Sequence, residues 1–259
     1  MKWLLFFAIM AGLLVWWRSA QQSQNRRSSA HPGNSPRPQA LRMSQCPFCG
    51  LRFSAQDSPD EYCCEQHRQA IDSRGWWGGA QWIRSPNYDE RPAGMPVELV
   101  LIHHISLPPG QFDNSYIADF FQNKLDSSAH PYFEEIADRR VSSHFLIKRD
   151  GQVQQFVSIL HRAWHAGVSE FLGKTRCNDF SIGIELEGTD DLPFEVAQYS
   201  ALKKLVLAIQ KTCPITAYAG HSDVAPGRKT DPGIHFDWEL FASHAQIPKS
   251  QLPFGTQKR

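Results

Sequence analysis

Apolar positions along most of the chain recur with two periods, one of strands and one of helices, and the two kinds of segment alternate. Val97 to His103 is apolar on both faces, as a strand inside a covered sheet must be. Alternation along it sets His103 with Val97, Leu99 and Leu101, and His104 with Val100 and Ile102. Phe180 to Glu187 reads as a second strand, with Ile182, Ile184 and Leu186 on one face and Gly183, Glu185 and Glu187 on the other. Ser143 to Lys148 and Val153 to Val157 form a hairpin pattern closed by Arg149-Asp150-Gly151-Gln152, since Asp-Gly suits a tight turn. Thr216 to Ala219 is a shorter strand. Helical spacing appears over Tyr116 to Leu125, at Tyr116, Ile117, Phe120 and Phe121. It appears again at Phe194, Ala197, Ala201, Leu202, Leu205 and Ile209, in a helix that Pro193 starts and Pro214 ends. Strands interleaved with helices predict an α/β domain, a mixed central sheet flanked by helices, over residues 74–259.

Ahead of this body the pattern changes. Fifteen uncharged, mostly apolar residues run from Trp3 to Trp17 and stop at Arg18. As a helix they span about 22 Å, short of the hydrocarbon core at about 30 Å. Two readings stand: a short membrane anchor over residues 1–18, with Trp3, Trp16 and Trp17 at the interfaces, or a secretory signal. Arg18-Ser19-Ala20 places a cation where a signal cleavage site wants a small residue, which favours the anchor. Residues 19–45, rich in Gln, Ser, Arg and Pro, predict a disordered basic linker.

Charge sharpens that division. The net charge is +1, yet residues 1–45 carry six basic and no acidic residues, leaving 21 basic and 26 acidic residues beyond them. By the positive-inside rule the arginines after the apolar run place the body on the cytoplasmic face of the inner membrane. The plainer reading is that they keep the linker soluble. A hydrophobic content of 41% excludes disorder throughout.

Four of six cysteines fall between residues 46 and 64. The spacing of Cys46, Cys49, Cys63 and His67 predicts one tetrahedral structural zinc, with Cys64 an alternative third thiolate. The segment 46–73 would then be a small zinc-ribbon-like module that needs the metal to fold. Two disulfides are the competing reading if the body is exported. With only Arg52 and Arg68 around these ligands and an acidic body behind them, no nucleic-acid partner is expected.

Three separated segments carry the reactive chemistry. His103 ends one strand, Glu185 lies in another, and Gly220-His221-Ser222-Asp223 precedes Gly227-Arg228-Lys229-Thr230-Asp231-Pro232-Gly233. Two histidines and one carboxylate make the ligand set of a catalytic zinc, here His103, His221 and Asp231. Such an ion lowers the pKa of its water to about 7. Glu185 is the candidate to carry the proton to a leaving nitrogen, and Lys229 to stabilise an oxyanion. Each side chain alone has a bland structural reading, as a core histidine, a loop acid or a solvated cation. Together they describe a hydrolytic metal site.

Ile102-His103-His104-Ile105-Ser106-Leu107-Pro108-Pro109-Gly110, Arg162-Ala163-Trp164-His165-Ala166-Gly167, Arg176-Cys177-Asn178-Asp179-Phe180, Ile184-Glu185-Leu186-Glu187-Gly188 and the block from His221 to Gly233 resemble AmpD-type amidases. Those are zinc-dependent 1,6-anhydro-N-acetylmuramyl-L-alanine amidases of cell-wall recycling, and the resemblance runs from about residue 74 to 245. It implies the fold shared by type 2 amidases and peptidoglycan recognition proteins. It also implies cleavage of the amide between the muramyl lactyl group and L-alanine in anhydromuropeptides. By motif it gives His103, His221 and Asp231 the metal, Glu185 and Lys229 the catalysis, and His104, Arg140, Trp164 and Arg176 the substrate contacts. His104 departs from the family's usual Asn. The first seventy residues have no counterpart in the compact enzyme and resemble a small family with an anchor and a Cys/His knuckle. A periplasmic amidase acting on intact peptidoglycan, and a non-catalytic peptidoglycan-binding receptor, are the alternatives on the same fold.

Overall fold

Covalent sequence becomes a layered sheet in the computed structural model, which describes residues 43–54 and 62–257. The anchor expected over residues 1–18 and all but the end of the linker over 19–45 lie outside the described residues. Among the described residues, no helix is long and apolar enough to cross a membrane.

Six strands form the central sheet: β1 (Gln81–Trp82), β2 (Leu99–Ile105), β3 (Phe145–Ile147), β4 (Val153–Gln155), β5 (Ser181–Glu187) and β6 (Ala217–Gly220). Their order is β6-β2-β5-β3-β4-β1. β6, β2, β5 and β3 are parallel, β4 turns back against β3, and β1 runs parallel to β4, so the sheet is mixed as expected. The helices that matter to the site are α1 (Tyr116–Phe121), α2 (Val196–Thr212), α3 (His221–Val224) and α4 (Trp238–Ala245).

Parallel strands are covered on both faces, so their side chains must be apolar both ways. Val100 and Ile102 of β2 join Ile182, Ile184 and Leu186 of β5 in a core under α2 and α4, where Leu205, Ile209, Trp238 and Phe241 meet them. Leu99 and Leu101 point the other way, toward Ala166, Cys177 and Phe180. A third cluster unites α1 with Phe133, Leu146 and Phe156. The long α2 is seated by its first turn. Glu195 and Gln198 form a capping box, and the buried Gln198 amide donates to the carbonyls of Ile147 and Glu187 at the ends of β3 and β5.

Three local differences from the sequence reading have physical causes. Val97 sits in the helix-side core rather than with Leu99, because the amides of Glu98 and Leu99 both donate to Phe180 O and the alternation slips there. The helix begun at Tyr116 stops at Phe121 rather than Leu125, and Asn123 adopts a left-handed φ of 61° beyond it. Met43–Gln45, the end of the span read as linker, is a strand paired with Arg52–Ser54 across the Cys46–Gly50 turn.

Candidate active site

The reactive residues meet at the carboxyl ends of β2, β5 and β6. Adjacent parallel strands place partners in register on one face, and Glu185 of β5 is the register partner of His103 of β2. β6 ends at Gly220, and His221 opens α3 immediately after it. A side chain on Gly220 would put its Cβ 2.6 Å from Pro232 Cδ, so glycine there lets the Asp231-Pro232 loop close on the strand end. The Ser222 amide fastens that loop by donating to Asp231 O at 2.8 Å.

His103 Nδ1, His221 Nδ1 and Asp231 Oδ2 form a triangle with edges of 3.0, 2.9 and 3.1 Å. One ion reaches all three corners of such a triangle at bond lengths of about 2.0–2.2 Å. All three residues are buried. Burial, and then the neighbouring His221, push the His103 imidazole down to about 4, which keeps it neutral with a lone pair to give. Burial alone would raise the Asp231 carboxyl, but the His103 and His221 imidazoles against it outweigh that and hold the group well below the usual carboxylate range. The donor set therefore fits zinc in type and spacing.

Glu185 stands beside this triangle, buried, and its Oε2 has no hydrogen-bond partner among the described residues. Burial, reinforced by the charge of Asp231, raises its carboxyl well above the ordinary value, and Lys229 pulls in the opposite direction. A buried acid left without a partner is costly unless something else occupies its side of the site. Glu185 also lines the cleft beside the triangle.

That cleft, about 740 Å³, is lined by His103, Glu185, His221, Lys229 and Asp231 together with Trp164 and His104. His104 points away from the triangle and pairs through Nε2 with Asp190 at 3.0 Å, while Thr230 Oγ donates to the other Asp190 oxygen at 2.9 Å. Arg140 and Arg176 lie elsewhere: Arg140 donates to Ala137 O, and Arg176 is mostly exposed and pairs with Asp179. Arg139 and Tyr132 line the cleft instead, and the sequence reading passed over both. His165, which the sequence reading quotes within a motif without giving it a role, lines the cleft and contacts His103.

A second donor cluster gathers Cys46, Cys49, Cys63 and His67, whose ligand atoms all lie within 4.8 Å of one another. Cys63 Sγ is 3.0 Å from His67 Nδ1 and 3.6 Å from Cys49 Sγ. Burial raises the Cys46 thiol, but the backbone amides of Cys63, Cys49 and Phe48 outweigh it and draw the group toward thiolate. Cys64, the alternative ligand, is exposed.

A mixed sheet whose parallel strands converge on a His, His, Asp triangle beside an unpartnered glutamate defines a metal-dependent hydrolase. Residues 93–234 match the family described as N-acetylmuramoyl-L-alanine amidase, and the chain belongs to it. It is 53% identical over 164 residues to a Haemophilus influenzae protein named 1,6-anhydro-N-acetylmuramyl-L-alanine amidase AmpD, covering 62% of this chain and 89% of that one. An Escherichia coli protein of the same name is 51% identical over 170 residues, covering 65% of this chain and 93% of that one. A crystal structure of a selenomethionine AmpD derivative superimposes with a TM-score of 0.65 at 49% identity, over 66% of this chain and 97% of that one.

Proposed function

We propose that the protein is a zinc-dependent amidase that hydrolyses the bond between the lactyl group of 1,6-anhydro-N-acetylmuramic acid and L-alanine in muropeptides, as in peptidoglycan recycling. The observation that carries this reading is the donor triangle of His103, His221 and Asp231 with the Glu185 carboxylate facing the same cleft. Identity near one half to proteins named for that activity supports the substrate. When bound, zinc supplies Lewis acidity, lowering the pKa of water to about 7 and polarising a carbonyl.

The chain's own residues do the rest. Glu185, in register with His103, takes a proton from the attacking water and returns it to the departing L-alanine nitrogen. Burial tunes it for the task by raising its proton affinity. Lys229, two residues before a ligand and on the cleft wall, stabilises the negative charge that develops on the carbonyl oxygen. Trp164 offers an indole wall against which a sugar face packs, and His104, clasped to Asp190, fixes the rim. Arg140 and Arg176 keep their expected role as peptide-carboxylate contacts only if substrate extends past the cleft.

The second zinc belongs to Cys46, Cys49, Cys63 and His67, giving two ions per chain. The apolar run from Trp3 to Trp17 tethers the enzyme to the inner membrane with its body in the cytoplasm, beside its substrate. Incubating the zinc-loaded chain with anhydromuramyl tripeptide should release free tripeptide. Full zinc occupancy with no peptide released would count against the amidase reading.

A further inference from the structure

A metal-ligating imidazole is fixed by the hydrogen bond that its other ring nitrogen makes. His221 meets this requirement through a backbone group, since its Nε2 lies 3.0 Å from Ala166 O. Among the described residues His103 has no such carbonyl. Its Nδ1 faces the donor triangle, so Nε2 carries the proton, and the atom 3.0 Å away is His165 Nδ1. The two rings stand nearly perpendicular, at 89°, so that an edge N–H of one points at a ring lone pair of the other.

His165 Nδ1 accepts only when the His165 proton is on Nε2. Ser181 Oγ lies 3.3 Å from that nitrogen, and the Ser181 hydroxyl donates its own proton to Cys177 O at 2.6 Å, leaving a lone pair toward His165. Every proton along the chain His103, His165, Ser181, Cys177 then has one direction. The last acceptor is a backbone carbonyl, which has no proton to exchange. Two further features hold His165 in place. A Cβ on Gly183 would lie 2.5 Å from its Cγ and Nδ1, so the bare strand makes room for the ring. Asn178 Oδ1 accepts from the amides of both His165 and Ala166, at 3.2 and 2.8 Å.

On the reading of His103 as a zinc ligand, we infer that His165 is the positioning residue that locks His103 in its Nδ1-ligating tautomer, with Ser181 directing His165 in turn. Zinc affinity tests this, measured on the full chain carrying C46S/C63S so that only the His103 site takes an ion, by competition with a chromophoric chelator alongside thermal unfolding of the metal-free protein. In H165N the amide oxygen sits where Nδ1 was, and affinity should stay within about threefold of that parent chain. In H165Q the amide lies one carbon further out, toward Ser181, and affinity should fall by about 10–100-fold. Equal unfolding temperatures for the two metal-free variants separate positioning from folding. Equal zinc affinities for H165N and H165Q would overturn the inference. If H165Q does not fold, S181A reads the same chain from its far end: weakened zinc binding supports the inference, and unchanged binding overturns it. Because the measurement uses zinc alone, a wild-type protein that binds zinc tightly yet releases no peptide counts against the amidase reading and leaves this one standing.

Discussion

The molecule twice gathers side chains that could hold a metal ion, and the two places are built in opposite ways. The triangle of His103, His221 and Asp231 is set on strand ends whose neighbours are fully buried, and hydrogen bonds orient its rings before any ion arrives. The cluster of Cys46, Cys49, Cys63 and His67 rests on two three-residue strands and one four-residue helical turn, with Cys46 as its only buried ligand. In the first place the fold holds the ligands. In the second, on the proposal that it holds a zinc, the ligands would hold the fold, because so small a segment gains too little from apolar burial to order itself. A preorganised site can devote its metal to chemistry, whereas a closed set of three thiolates and an imidazole satisfies its metal completely.

The sharpest way to break this contrast is at Glu185. E185Q should lower kcat by about 10²–10⁴-fold with zinc content unchanged, because a general base is lost and no ligand is. Zinc analysis and turnover on the same preparation decide it, and loss of metal with activity would show that Glu185 belongs to the ion rather than the reaction. K229A should cost about 10²–10³-fold in kcat with little change in KM, as removal of an oxyanion partner does.

At the other cluster the expectation reverses. The double variant C46S/C63S should bind one zinc fewer and lose amide-exchange protection over residues 43–54 and 62–70, with kcat/KM within about twofold of wild type. A collapse of activity in that variant would join the two regions that the geometry separates. The smallest effect concerns neither metal. Hydrogen bonding to Arg162, opposed by burial, holds the Asp89 carboxyl below its ordinary value. The unfolded chain therefore binds the extra proton first. Stability from this pair is full above the unfolded pKa of about 4 and fades as pH falls below it. R162M should therefore lower the melting temperature most at neutral pH, where the pair contributes fully, and flatten the acid limb so that the variant and wild-type melt curves converge between about pH 4 and 2.

Much of the site was legible in the sequence because its parts are side chains with chemical identities. Alternation alone put Glu185 opposite the face of Ile182, Ile184 and Leu186, and the sheet bears that out. What alternation does not carry is register between strands, so the pairing of Glu185 with His103 came only with the fold. Support made by backbone was invisible for a similar reason: Ala166 acts through its carbonyl, and nothing in an alanine announces an acceptor for an imidazole 55 residues away. The arginines show a third limit. Arg139 and Arg140 are equivalent in composition, and only the turn after Glu134 decides that Arg139 faces the cleft.

The amide oxygen of Asn178 binds two successive peptide groups, and those two residues reach different imidazoles. His103 and His221, 118 residues apart in the chain, are therefore mounted on a single bracket. An engineer wishing to retune this centre for a larger or softer ion could not adjust one histidine and leave its companion alone. Redesign would have to start from the bracket.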